Sequence, residues 1–333
     1  MRFALTDEQR AFARALDDLL GGAGVPGISR GWAAGEPGAG LKLWQRLAGM
    51  GVHALRVPES AGGLDAEPID VVVAFERLGH HLVPGPYIES VVLAPALLSA
   101  LGDTRGPSLE ALAEGSEIVT VSAPPMTPFA LDADIAHHAL LLADGRLSRA
   151  TAGDLRRSVD GSRRLFAVGA AEALGTPGAA AVASALDAAA LACGAQLLGA
   201  GERLLAESVE YAKSRTQFGR AIGEYQALKH ALADVRVALD FARPLLHGAA
   251  LSLGERSPDA GRDVSAAKVA ASDAAYLASR TALQVHGAIG YTEEYDLGLW
   301  ITKVRALVGA WGTPSHHRAR VLSALTDESP GEG

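Results

Sequence analysis

Arg215 stands three residues ahead of Phe218-Gly219, inside the run YAKSRTQFGRAIGEYQALKHALADVRVALDFARPLLHGAALSL that extends from Tyr211 to Leu253. A glycine there supplies the left-handed backbone that ends a helix. A guanidinium beside such a break can reach an anion lying near exposed backbone N–H groups. In Gln284-Val285-His286-Gly287-Ala288-Ile289-Gly290-Tyr291-Thr292 the spacing Gly287–x–x–Gly290 gains meaning only from Gln284 before it and Arg215 upstream. Within it, His286 reads as a packing residue or a weak hydrogen-bond donor. The pairs His80-His81, His137-His138 and His316-His317 could suggest a metal. Adjacent histidines on a helix point about 100° apart, however, so structural or solvated roles are expected and no metal. Glu293-Glu294 is a carboxylate pair that could take a proton and reads more simply as a helix start. Cys193, the single cysteine, lies among Leu191, Ala192 and Leu197 and reads as a buried core thiol.

The elements that must hold these residues are largely helical. Leu228, Leu232, Val235, Leu239 and Leu246 recur at threes and fours, one buried stripe on a long helix starting near Gly223. Thr6 and Gln9 form a capping-box pattern ahead of Phe12, Leu16, Leu19 and Leu20. Gly21 to Gly40 reads as a glycine- and proline-rich connection. Further helices are expected through Leu43 to Met50, from Pro68 to Gly79 and from Ile88 to Leu101, with Leu55 to Glu59 extended. Between Glu114 and Gly178 the runs Ile118–Val121, Ala139–Leu142 and Leu165–Val168 read as strands. From Ala179 the chain is helical to about Leu325, broken near Gly219, Gly254 to Asp259, Gly287 to Tyr291 and Gly309 to Pro314. The expectation is a mostly α (α+β) chain of segregated layers: a helical domain over 1–113, a small β domain over 114–178, a helical domain over 179–326 and a frayed tail over 327–333.

Composition limits the partners. The 333 residues carry a formal charge of −8, which argues against a non-specific nucleic-acid binder. One cysteine excludes an internal disulfide framework and fits a reducing compartment. The N-terminal residues lack the apolar core of a signal peptide, and the apolar runs are too short or too charged to span a bilayer. A cytoplasmic protein without membrane contact is expected.

Tyr–x–x–x–Arg–x–Gln–Phe–Gly–x–x–Ile followed by Tyr225-Gln226 and Lys229, with the Gln284 segment about seventy residues on, resembles the C-terminal helical domain of the acyl-CoA dehydrogenase family. Trp44–x–x–Leu47–Ala48–x–Met50–Gly51, Val57-Pro58 and Gly62-Gly63 are similar to that family's N-terminal domain. The resemblance implies an N-terminal helical domain, a middle β domain and a C-terminal four-helix bundle. It implies FAD held across a subunit interface, with desaturation of an acyl-CoA thioester by a carboxylate base and hydride transfer to the flavin. By the same resemblance Arg215, Gln217 and Phe218 contact the diphosphate and adenine side, Ile222 packs nearby, and Gln284, Gly287 and Ala288 approach the FAD backbone. Ala288 replaces a usual glycine.

Two parts of that pattern are missing. The family's base glutamate precedes a Gly-Thr pair, where this chain has Trp311 before Gly312-Thr313. A minority of members place it 26 residues before the arginine, which here is Ala189. Asp187 is two positions off and, turned about 200° away, reads as a helix-start residue. The middle domain is short, has no tryptophan between Trp44 and Trp300, and carries only Ser122 to Thr127 where the flavin-ring segment belongs. The resemblance is therefore to the short, non-catalytic subunit of a heteromeric α2β2 enzyme of the kind that degrades sterol side chains. Its partner would be a full-length homologue that supplies the base and the ring pocket and binds most of the substrate, with an electron-transfer flavoprotein or similar acceptor downstream. The alternatives are a homo-oligomeric enzyme with a relocated base at Glu293 or Asp187, and a flavin-free helical protein that binds an acyl-CoA or a partner.

Overall fold

A computed structural model describes residues 4–102, 106–292 and 295–327. The N-terminal layer comprises α1 (Asp7–Gly21), α2 (Val25–Ala33), α3 (Gly38–Gly49), α4 (Pro68–His80), a π-helical turn (Ile88–Leu93) running into α5 (Ala94–Leu101), and the short α6 (Leu109–Ala113). The capping box of Thr6 and Gln9 is formed at the start of α1. The connection expected over Gly21 to Gly40 contains α2 instead. Pro26 sits in the first turn, where its missing N–H costs nothing, and Val25, Ser29 and Trp32 bury one face. Leu55 to Glu59 is a series of turns and not an extended piece. Leu55 and Val57 are buried there, and their carbonyls accept from the amides of Ala66 and Asp65.

The middle sheet has five strands, not three: β1 (Val119–Ser122), β2 (Ala130–Leu131), β3 (His138–Ala143), β4 (Arg146–Arg156) and β5 (Leu165–Gly175). Their order is β1-β3-β4-β5-β2, with β1 and β3 parallel and the remaining pairs antiparallel. β4 escapes a hydrophobicity reading because most of it is exposed and its few apolar residues are scattered among arginines, an aspartate and small residues.

Beyond the sheet, α7 (Ala179–Ser214), α8 (Gln226–Gly254), α9 (Ala260–His286) and α10 (Leu297–Gly309) form a bundle, and α11 (Pro314–Asp327) packs on α9. α7 lies at its centre. It is long and apolar enough to cross a bilayer, yet two-thirds of its apolar window is buried inside the protein against α4, α8, α9 and α10. Close approach depends on glycines. A Cβ added to Gly79 would fall 2.1 Å from the Gln196 carbonyl oxygen, and one on Gly199 would fall 1.8 Å from that of Glu76. The backbones of α4 and α7 are therefore in direct contact. Arg243 spans the same seam from α8, pairing with both Glu76 and Glu202.

Candidate functional site

α7 ends at Ser214, and Arg215 turns extended. Two-residue strands β6 (Thr216–Gln217) and β7 (Arg220–Ala221) then form a hairpin with Thr216 opposite Ala221. Its turn residues Phe218 and Gly219 both have positive φ, +51° and +80°. That is the mirror-image turn a two-residue hairpin favours, for which Asn-Gly is the usual sequence. A phenylalanine is costly at its first position. The ring is nevertheless 93% exposed, so no packing within the chain accounts for it. Behind it, the Arg220 guanidinium lies 4.0 Å from the Tyr225 ring centre. The amide of Ile222 donates to the carbonyl of Arg215 and closes the hairpin base.

Between this arm and α9 lies a cleft of about 430 Å³ with mainly apolar walls, lined by Gln217, Phe218, Ile222, Tyr225, Leu228, Thr281, Gln284 and their neighbours. Four of the sequence-predicted residues, Gln217, Phe218, Ile222 and Gln284, therefore meet in one place. Arg215 is exposed at the hairpin foot and does not line the cleft. Gly287 and Ala288 are exposed just past the end of α9 and also lie outside the lining. Gly287 adopts φ +61°, ψ −138°, a backbone region open essentially to glycine alone. His286, before it, is buried between Tyr211 and Tyr295, with ring centres 4.3 and 5.3 Å away. Its Nδ1–H donates to the Ala282 carbonyl at 2.8 Å, and burial holds its pKa below the usual histidine value. Tyr225 and Leu228 were read from the sequence only as part of the family motif and of the buried stripe on α8, and Thr281 was not singled out.

Neither base position carries an acid. Trp311 is fully buried at φ +56°, followed by Gly312 at φ +99°. His317 fixes that turn. Its Nε2–H donates to the Trp311 carbonyl at 2.9 Å while Nδ1 accepts from the Ser265 hydroxyl at 3.1 Å. Burial lowers the imidazole pKa to about 4, so it works as a neutral strut, the structural role expected of it. Ala189 is fully buried one turn before Cys193, whose thiol lies 3.4 Å from the carbonyl of Leu307 on α10. Asp187 is not a helix-start residue, since α7 begins eight residues earlier. Its carboxylate is engaged by Arg320 at 2.6 and 3.2 Å. Glu293 lies outside the described residues.

Other buried acids escaped the sequence reading. Glu89 sits on the π turn, and burial raises its pKa to about 7 against the opposing charge of Arg163. Asp132 is likewise raised to about 7 by burial and accepts from the indole N–H of Trp32 at 3.0 Å. Asp160 faces the buried Lys303 ammonium at 3.8 Å. The cue was a lone carboxylate within an apolar stretch, Tyr-Ile-Glu-Ser-Val-Val-Leu. Asp132 thus ties the end of β2 to α2, and Asp160 links the β4–β5 connection to Lys303.

The residues present fit one end of FAD and not the other. The arm cleft offers an unburied aromatic face, two amides and a nearby guanidinium, yet its volume is at the low end for a ligand pocket. In the middle sheet, Ser122 to Thr127 closes on itself. Ala123 and Thr127 exchange both backbone hydrogen bonds, and the Ser122 hydroxyl donates to the Thr127 carbonyl. The Ser122 hydroxyl and the Ala123 and Thr127 backbone groups are thus spent within the loop.

Sequence models of the acyl-CoA dehydrogenase N-terminal domain and C-terminal domain match residues 6–104 and 176–326. Acyl-CoA dehydrogenase IpdE2 of Mycobacterium tuberculosis is 32% identical over 330 residues, covering 97% of this chain and 99% of that protein. The chain belongs to the acyl-CoA dehydrogenase family. FAD is accordingly its cofactor, and the family's chemistry is oxidation of a CH–CH bond in an acyl-CoA. Among solved structures, a chain of the ChsE4-ChsE5 complex from Mycobacterium tuberculosis superposes with a TM-score of 0.80 at 23% identity, covering 99% and 100% of the two chains. A chain of the Tcur3481-Tcur3483 steroid ACAD does so with a TM-score of 0.79 at 22% identity, covering 96% and 100%. The sequence expectation of a three-part acyl-CoA dehydrogenase fold holds.

Proposed function

We propose that this chain is the non-catalytic subunit of a heteromeric acyl-CoA dehydrogenase and that its arm clamps the adenosine and diphosphate end of FAD bound to a full-length homologue. Phe218 stacks against the adenine, and Arg215 and Gln217 serve the diphosphate. Ile222 and Gln284 close the cleft, and Gly287 with Ala288 let the cofactor pass close to the backbone. When bound, FAD supplies the hydride acceptor for α,β-desaturation. The partner contributes the carboxylate that takes the α proton. This chain contributes binding and orientation, and it excludes water from the diphosphate end.

The observation that carries this reading is a pairing of opposites. The arm holds an aromatic residue in a strained conformation and fully in solvent, while the two positions where a base would stand are an apolar indole and a methyl group, both buried. A strained, exposed aromatic is what a subunit retains for a surface it does not itself provide. The simplest assembly is an α2β2 pair of heterodimers. The substrate class is a bulky acyl-CoA such as a steroid side-chain thioester, in keeping with the relatives named above. Electrons then pass to an electron-transfer flavoprotein or a similar acceptor.

Purification tests this directly. The chain alone is expected to hold little FAD, and co-expression with a full-length homologue is expected to give a yellow, active complex. Arg215→Ala in that complex should lower flavin retention, since a charge-assisted contact to phosphate contributes roughly 1.5–3 kcal/mol. FAD and turnover from the chain by itself would overturn the proposal, as would unchanged flavin content in Arg215→Ala.

A further inference from the structure

At the end of α8 away from the arm lies a cleft of about 340 Å³, walled by α4, α5, α7 and the connection from α8 to α9. α8 is 29 residues long, so roughly 43 Å separates this cleft from the hairpin at 1.5 Å per residue. The floor is apolar, with Val71, Val92 and Leu191 among small side chains of α7. The rim carries two positive and two negative groups, Arg56, Arg256, Asp65 and Glu67. Among the described residues none of the four pairs with another charged side chain, and only Arg56 makes a side-chain hydrogen bond, to the Ala66 carbonyl.

Two of these residues are held where the backbone resists them. α8 closes with the amide of Ser257 on the carbonyl of Ser252, which puts Arg256 in the left-handed position after a helix, at φ +53°. Glycine is the usual residue there, and a residue with a Cβ is strained in it. Asp65 sits at φ +40°. Glu67 is the N-cap residue of α4 yet makes no cap hydrogen bond. Its carboxylate leans across to Gly254 instead, where an added Cβ would fall 2.7 Å from Oε2. Charges that serve solubility alone need no strained backbone. Unmatched charges and strained residues around one cavity are what a ligand site retains.

We propose that this cleft binds a small zwitterion with an aliphatic body, of the class of leucine and the other branched-chain α-amino acids. Its carboxylate meets Arg56 and Arg256, its ammonium meets Asp65 and Glu67, and its side chain lies on the apolar floor. The balance of the rim sets the charge of the ligand. An anion leaves both carboxylates unmatched, and a cation leaves both guanidiniums so. A ligand without an apolar body leaves the floor wet. The volume, at the low end for ligand pockets, sets the size. No residue is shared with the arm cleft, and the proposal does not rest on the flavin reading. With walls from α4 on one side and from α7 and α8 on the other, an occupant braces the N-terminal layer against the bundle.

Isothermal titration of the full chain tests this, with L-leucine as the probe. Isocaproate, isoamylamine and glycine serve as controls that lack the ammonium, the carboxylate and the aliphatic body in turn. Leucine should give saturable heat, and each control should bind more weakly by about ten-fold or more, the loss of one charge-assisted contact or of the buried body. Arg256→Gly should weaken leucine by a similar factor while the unliganded chain melts no lower than the parent, because glycine suits that backbone. Glu67→Gln should narrow the gap between leucine and isocaproate, which a merely structural role would leave as it was. No saturable heat at millimolar leucine would refute the proposal. So would isocaproate or isoamylamine binding as tightly as leucine, or full leucine affinity in Arg256→Gly.

Discussion

Replacing Phe218 with asparagine separates a residue kept for binding from one kept for folding. In the isolated chain the exchange converts the hairpin turn to Asn-Gly, the preferred pair when both turn residues have positive φ. A left-handed conformation costs an ordinary residue about 1–2 kcal/mol, and asparagine tolerates it better. Little packing is lost, because the ring is 93% exposed. The covered remainder, roughly 15 Å² of a 200 Å² side chain, is worth under about 0.5 kcal/mol at 25 cal/mol per Å². The isolated variant should therefore be more stable by about 0.5–1 kcal/mol, a rise in melting temperature of roughly 1 °C for a chain of this length. In the complex the sign reverses. Stacking of a base on an aromatic ring is worth about 1–3 kcal/mol, so FAD should bind roughly 5- to 150-fold more weakly. The assays are thermal unfolding of the chain alone and titration of FAD into the co-expressed, flavin-stripped complex. A lower melting temperature would show that the ring packs within the chain, and unchanged FAD affinity would show that it stacks on nothing.

Trp311→Glu should not create a second active centre, because the ring-binding segment is also missing; extra turnover per complex would contradict this. The same exchange sets an unpaired carboxylate in a fully buried position and should lower stability by a few kcal/mol. Glu89 gives a pH test. Its folded pKa of about 7 exceeds the ordinary 4.5, so between those values the folded chain keeps a proton that the unfolded chain has released, and stability falls as pH rises. At 1.36 kcal/mol per unit, that loss approaches about 3 kcal/mol by pH 8. Glu89→Gln should match the parent near pH 4 and exceed it by up to this amount at pH 8, as read by urea unfolding at both values. His317 and His80, held down to about 4 by burial, act in the opposite sense in both proteins and cancel in the difference.

What the sequence disclosed follows the strength of its periodicity. The helices from Ala179 onward were legible with their breaks, because long apolar stripes end at glycines and prolines. α2 was missed because the eight glycines and two prolines between Gly21 and Gly40 read as linker, while its burial rests on Val25, Ser29 and Trp32 alone. β4 was missed because a strand exposed along most of its length has no apolar alternation to show. Within the site, Gln217, Phe218, Ile222 and Gln284 were identified through the family resemblance, and the fold brings them to one cleft. The left-handed backbone of a bulky phenylalanine lies beyond residue patterns. So does Asp187, whose partner is 133 residues away.

Gly79 and Gly199 bring the backbones of α4 and α7 into contact, leaving no room at either position for a single methyl group. The proposed function asks for no base from this chain, yet at this seam the sequence cannot change without prising α4 from α7. Its architecture is thus held to that of a working enzyme by contacts that never touch a substrate, which keeps the arm at the height and angle a neighbouring subunit would find.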